Sequence, residues 1–318
     1  MLRLALPLLV CLTACAGPRS ASSPGSEVPA LVPAVPDDFA PDQLLLFDGA
    51  DGAALSFAET VDRACGAQVI VLGENHDDAL GHGFQRALVE AVFDRHPGSV
   101  LALEMLERDE QVLVEDFQAG ILDAEGFARE TNSARWSGEG SWDRWYQPII
   151  DAALEREGTV VAANAPRRYV RAANRLDEGW IDELSAEQRA LFDLPVGPQP
   201  EGYRQRFFDL MGEMDHGMGP MPEEQIEAMF ASQSIWDATM AISVVGAEPS
   251  DERKVVLLVG GFHMEWDGGL LGQIAHAAPE ISTFGIRVAG SSSTTLDEED
   301  LGRADVVVYT PTGETPAH

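Results

Sequence analysis

Six short apolar runs recur along the chain: "QVIVLGE" at 68–74, "SVLALEM" at 99–105, "TVVAANAP" at 159–166, "KVVLLVGG" at 254–261, "STFGIRV" at 282–288 and "DVVVYTP" at 305–311. Such runs, bounded by turn residues, read as strands buried on both faces. Amphipathic segments lie between the first of them, at 83–95 and 141–157. In the second segment Trp142, Trp145, Ile149, Ile150 and Ala153 return at helical spacing. Alternating strands and helices predict an α/β fold of three layers, α/β/α, around a mostly parallel central sheet. The stretch from about 167 to 245 breaks the rhythm. It is helical throughout, with Pro- and Gly-rich breaks at 195–202 and around 217–222, and reads as a helical insertion or cap. A single domain over 43–312 with a short tail, 313–318, is the expected organisation.

The N-terminal residues carry a different pattern. "MLRLALPLLVCLTAC" sets Arg3 ahead of an apolar stretch from Leu4 to Leu12 and small residues before Cys15, as a secretory signal peptide does. Leu12-Thr13-Ala14-Cys15 resembles the bacterial lipobox, which implies removal of residues 1–14 and attachment of lipid to the Cys15 sulfur. Acyl chains contribute roughly 0.8 kcal/mol per buried methylene, so a multiply acylated cysteine would hold the chain to a membrane leaflet. Ala16, rather than an aspartate, follows Cys15, and the likeness then points to the outer membrane, facing the periplasm of the cell envelope. The Pro-, Ser- and Ala-rich residues up to 42 are expected to form a disordered tether.

Composition narrows the chemistry. The formal charge of −32 argues against nucleic acid as a partner, because binding a polyanion requires clustered Lys and Arg. Of three cysteines, Cys11 lies in the signal and Cys15 carries the expected lipid, which leaves Cys65 without a partner. Neither a disulfide nor a cysteine-based zinc or iron–sulfur site is expected. G-x-S-x-G, H-E-x-x-H, P-loop and G-x-G-x-x-G signatures are missing, as is C-x-x-C-H, so any haem would be held without thioether links.

Four of the apolar runs end in polar residues: Glu74-Asn75-His76, Glu104-Met105, Asn164-Ala165-Pro166 and Gly260-Gly261-Phe262-His263. The carboxyl ends of parallel strands share one rim, where ligands bind, so Glu74, His76, Glu104, Asn164 and His263 are expected to converge. Glu74 and His76 stand two apart and point to one side of an extended backbone. Two imidazoles and two carboxylates suffice to hold a divalent metal, with Glu74, His76 and His263 as ligands, to transfer protons, or to capture a polar ligand. Asp237 could orient a rim histidine.

The sequence resembles the ChaN-like haem-binding lipoproteins of the Tiki superfamily, whose relatives include erythromycin-esterase-like and metalloprotease-like proteins. The likeness rests on "VLGENHDDALGHGFQRALVEAV" (71–92), "LALEML" (101–106), "VVAANAPRRYVRAA" (160–173), "QSIWDATMAISVV" (233–245) and "VVLLVGGFH" (255–263), in family order. It implies a lipoprotein that binds haem through a tyrosine, in some members as a face-to-face pair across a homodimer, and acts in haem or iron uptake. It also implies that Gly260 and His263 match a G-x-x-H motif at a metal-dependent site, with Gln233 and Asp237 beside it. His82 departs from the family habit, because glycines flank it where a second histidine often stands.

Within the insertion Tyr203 is the candidate haem ligand, with His216 able to bond to it, and Tyr169 is the second choice. Arg167, Arg168 and Arg171, just after Pro166, suit carboxylates such as haem propionates or pair with neighbouring acids. Met211, Met214, Met218 and Met221 around His216 could pack a core or dimer contact, line a haem pocket, or bind copper through their thioethers. The residues therefore leave three readings: a lipid-anchored haem-binding protein, a metal-dependent esterase or peptidase using Glu74, His76, Glu104 and His263, and a copper-binding envelope protein.

Overall fold

Each apolar run forms a strand, and two further short strands extend the sheet. In the computed structural model, which describes residues 31–312 apart from 132, 134, 135, 174–177 and 214–220, the strands are β1 (Leu45–Asp48), β2 (Ala54–Leu55), β3 (Val69–Glu74), β4 (Val100–Glu107), β5 (Thr159–Asn164), β6 (Val255–Gly260), β7 (Thr283–Gly290) and β8 (Val306–Thr310). They form one eight-stranded sheet in the order β2-β1-β8-β7-β3-β6-β4-β5. From β8 to β5 all pairings are parallel, and only β1 runs antiparallel to its neighbours.

Successive strand residues enter opposite cores, which is why the runs show no polar alternation. Ile70, Leu72, Leu101, Leu103, Val256 and Leu258 face α1 (Phe57–Ala64), α2 (Ala79–Arg95), α3 (Gln111–Gln118), α4 (Ala124–Glu130) and α5 (Gln147–Leu154). Val69, Val71, Val100, Ala102, Val255, Leu257 and Val259 face the other layer. Burying a side chain of this size contributes about 1.5–3 kcal/mol, so the two faces together supply most of the cohesion.

The second layer comes largely from the stretch expected as an insertion. It contains α6 (Arg167–Ala173), a 3₁₀ segment (Glu178–Glu183), α7 (Ala186–Arg189), α8 (Glu201–Glu213) and α9 (Glu223–Gly246), followed after β6 by α10 (Gly269–Ala277). The C-terminal half of α9 is a layer helix in its own right, placing Met240, Ala241 and Val244 on the sheet beside Leu270 and Ile274 of α10. Arg108 ties this layer down through Ser243 Oγ (2.9 Å), the Thr239 carbonyl (2.9 Å) and the Asp193 carboxylate (2.7 Å).

The edge strand β5 would expose its ladder to other chains. Two glutamines of α3 cover it: Gln111 Oε1 accepts from Ala162 N (2.8 Å) and Gln118 Oε1 from Val160 N (2.9 Å).

Two local features differ from the sequence reading. Residues 31–42, expected within a disordered tether, lie against the domain. Val32 N donates to the Glu139 carbonyl (3.0 Å), Trp145 Nε1 to the Pro33 carbonyl (2.9 Å) and Arg144 to the Val32 carbonyl. Val35 and Phe39 press onto Gly83, where a Cβ would come within 2.9 and 3.0 Å of them, so the missing side chain makes room for this strap. The apolar residues Val32, Val35 and Phe39, spaced between prolines, explain why the strap packs. The other feature lies in the 141–157 segment, which opens as one π-helical turn, Trp142–Tyr146, before α5. That turn buries Trp142, Trp145 and Tyr146 together.

Candidate functional site

The strand ends deliver two chemically similar trios to one rim. In the first, Glu74 closes β3 and is 4% exposed. Its Oε1 accepts from Tyr146 Oη (2.7 Å) and from His76 Nδ1 (2.8 Å), and its Oε2 accepts from Gln85 Nε2 (2.7 Å). His82, fully buried on α2, bonds Gln85 Oε1 (2.9 Å), stacks on Trp145 at 4.7 Å between centroids and lies 3.8 Å from Glu74 Oε2. Burial alone would raise the Glu74 pKa. The attraction of His82 and the bonds from His76 and Gln85 outweigh it and hold the carboxyl at about 2. Burial likewise works against charge on His76, yet its bond to Glu74 and that carboxylate's charge raise it to about 9.

In the second trio, Tyr203 Oη of α8 donates to Asp237 Oδ2 (2.9 Å), and His263 Nδ1 donates to Asp237 Oδ1 (2.5 Å). Gln233 Nε2 donates to Tyr203 Oη (3.0 Å) and reaches the His263 ring (3.1 Å). Here desolvation dominates Asp237 and raises it, only partly countered by His263 and Tyr203. His263 is raised as well: burial opposes its charge, but Asp237 and Glu104 favour it more. Burial and the Asp237 charge push the Tyr203 hydroxyl far above its ordinary range.

Glu104 joins the trios. Its Oε2 accepts from Gly260 N (2.6 Å), and its Oε1 lies 3.7 Å from His263 Nε2. A Cβ on Gly260 would sit 3.3 Å from His76 Nε2 and 3.5 Å from Glu104 Oε2, so the glycine lets the imidazole and the carboxylate crowd one strand end. Asn164 fixes the neighbouring ends by donating Nδ2 to the Glu104 carbonyl (3.0 Å) and accepting from Ala165 N (2.9 Å).

Aromatic side chains stand on both sides of this polar floor. Trp136 meets the His76 ring edge-on at 6.0 Å and carries Arg167 Cζ 4.6 Å over its ring. His76 follows β3 and Arg167 follows β5, so Trp136 links groups from two strands that β6 and β4 separate in the sheet. On the insertion side, partly buried Phe262 packs 5.1 Å from Tyr203 and 5.8 Å from Phe207. The His76 side chain is 26% exposed and Glu104 11%, so the rim reaches solvent at these two groups.

The structure thus brings together Glu74, His76, His82, Glu104, Asn164, Gln233, Asp237, Gly260 and His263, with Arg167 at the margin. Tyr203 joins the network as a fully buried donor to Asp237. Tyr169 lies apart from the two trios, stacked 5.1 Å from Phe192. Met211 is buried among Tyr203, Phe207, Ile226 and Phe230, with Met221 at the edge of that cluster. Cys15, Met214, His216 and Met218 lie outside the described residues. Among the described residues, no group of three or more His, Cys, Asp and Glu is placed to hold a metal ion. Both Glu74 oxygens and the Nδ1 atoms of both rim histidines are engaged with protein partners.

Sequence reasoning missed Tyr146, Gln85 and Trp136. Gln85 carried a faint signal, three residues after His82 on one helix, where side chains meet. Tyr146 and Trp136 carried none, since Tyr146 meets Glu74 and Trp136 meets His76 and Arg167 across long stretches of chain.

No curated protein sequence matches the chain. Among solved structures, one described as cofacial haem binding to ChaN of Campylobacter jejuni is 19% identical, covers 83% of this chain and 96% of its own, and superposes with a TM-score of 0.64, which shows a shared fold. The structure of the type III effector HopBA1, 10% identical over 79% of this chain and 91% of its own, reaches a TM-score of 0.46. The family described as "Haem-binding uptake, Tiki superfamily, ChaN" matches residues 60–274, a stretch that contains every member of both trios. The chain belongs to the ChaN family of the Tiki superfamily.

Proposed function

We propose that this chain captures haem in the crevice between Trp136 and Phe262, as cargo for iron or haem uptake at the cell envelope. The observation that carries the reading is the family match over 60–274, because Glu74, His76, Glu104, Asp237 and His263 all fall inside it and meet at one rim. The donor set suits the cargo. Imidazole and phenol are ordinary axial donors for haem iron, and flat aromatic walls suit a macrocycle. Among the described residues, Tyr203 and His263 are the candidate axial donors, both buried beneath the rim. Tyr203 would have to exchange its bond to Asp237 for one to iron.

Titration of the purified protein with haemin tests this. A saturable Soret band shifted from that of free haemin is expected, and its position should change in Tyr203→Phe if that side chain is the axial donor. A folded wild-type protein that leaves the haemin spectrum unchanged would sink the proposal. Envelope anchoring through Cys15 is part of the same reading. Cys15→Ser is expected to abolish incorporation of labelled fatty acid and release the protein from membranes, and unaltered fractionation would refute the anchor.

A further inference from the structure

We infer that Arg167 and His76, both set against Trp136, form a clamp for the carboxylates of a flat aromatic ligand, the propionates of a bound haem. The inference rests on the haem-capture reading and assigns the part of the crevice that would recognise the acidic edge of the cargo.

Three arginines follow Pro166, and they are not equivalent. Arg168 is committed to Asp109 at 2.5 Å and lies 4.8 Å over Tyr169, away from the rim network. Arg167 is 41% exposed, and its nearest carboxylate, Glu107, stands at 4.0 Å, the outer limit of an ion pair. Its Cζ lies 4.6 Å from the Trp136 centroid. A guanidinium resting on an indole uses its face, while its N–H donors stay in the plane, where a carboxylate can take two of them.

His76 meets the same indole edge-on, its ring 6.0 Å away. Nδ1 is spent on Glu74, so Nε2 is the atom left to face a ligand, and it does so beside Gly260, where no Cβ intrudes. Glu74 thus holds the ring so that Nε2, beside Trp136, can meet a ligand carboxylate. Arg167 places a guanidinium on this indole in a chain of net charge −32. A ligand that offers carboxylates at the edge of a flat apolar body satisfies both the guanidinium and the aromatic wall.

The test compares haemin with haemin dimethyl ester, in which both propionates are masked, on the wild-type protein and on Arg167→Met. Loss of one charge-assisted pair should weaken haemin binding about tenfold, while the ester should bind the wild type more weakly than haemin does and be indifferent to the substitution. Arg167→Lys, which keeps the charge without the fork, should fall between the two. Arg167→Met binding haemin as tightly as wild type, or the ester binding wild type as tightly as haemin, would overturn the clamp and leave haem capture standing. A folded wild type that binds neither overturns haem capture and the clamp together.

Discussion

The two trios that meet at Glu104 have the same composition order, tyrosine to carboxylate to the Nδ1 of histidine, yet they treat the carboxyl group in opposite ways. Both acids are buried, so desolvation penalises each. Glu74 receives Tyr146, His76 and Gln85 directly and has His82 3.8 Å away, and these donors win. Asp237 has close bonds from His263 and Tyr203 only, a long one from Gln199 (3.4 Å), and the like charge of Glu104 pushing it upward. At comparable burial, the number of donors and the sign of the next neighbour decide whether a carboxyl is held ionised. The first trio is correspondingly the more open, since only its histidine is substantially exposed.

The largest expected effect comes from breaking the closed trio. Asp237→Ala removes the carboxylate that accepts from both Tyr203 and His263, where neither can reach water readily, at a cost of about 3–5 kcal/mol. Urea denaturation of the variant checks this, and a loss under 1 kcal/mol would mean that the pocket relaxes or hydrates.

The pH dependence sharpens the contrast, with effects of roughly 2 kcal/mol. His76, raised to about 9, contributes stability that is complete below its ordinary pKa near 6.5 and is lost as pH rises through 9. Glu74, lowered to about 2, contributes stability that is complete above about 4.5 and is lost as pH falls through 2. The first trio therefore stabilises most between those two ordinary values. In the second trio both Asp237 and His263 are raised, so its contribution weakens only as pH rises. Denaturant midpoints measured across pH should show His76→Gln flattening the alkaline fall and Glu74→Gln flattening the acid one. An acid limb unchanged in Glu74→Gln would refute the assignment.

A smaller effect is expected from Trp145→Phe, which removes the bond to the strap at Pro33 and alters the stacking on His82. About 1 kcal/mol should be lost, and the histidine resonances of the first trio should shift in NMR spectra while that of His263 stays. Smallest of all, Arg167→Met should change stability by less than about 0.5 kcal/mol, because the side chain is exposed and weakly paired. A larger loss in thermal unfolding would make Arg167 a structural residue rather than a free donor.

Much of the molecule was legible from the chain alone, for a local reason. Strands buried on both faces must be apolar at every position, so Val69–Glu74, Val100–Glu107, Thr159–Asn164 and Val255–Gly260 announced themselves, and parallel strands must end at a common rim, so Glu74, Glu104, Asn164 and His263 could be grouped before any coordinates. The brief antiparallel pair Leu45–Asp48 and Ala54–Leu55 left too short a pattern to read. The strap at 31–42 was hidden because proline-rich composition looks the same in a free tether and in a segment pinned by Trp145 and Gly83.

Tertiary structure alone decided which acid would be ionised and which histidine would face outward. Tyr146 reaches Glu74 through a π-helical turn, Gln233 and Asp237 arrive on a helix contributed by a distant stretch, and Trp136 joins the ends of β3 and β5. Strand identity depends on neighbours along the chain, whereas charge state depends on donors and burial supplied through space, and one sequence pattern is compatible with many such surroundings.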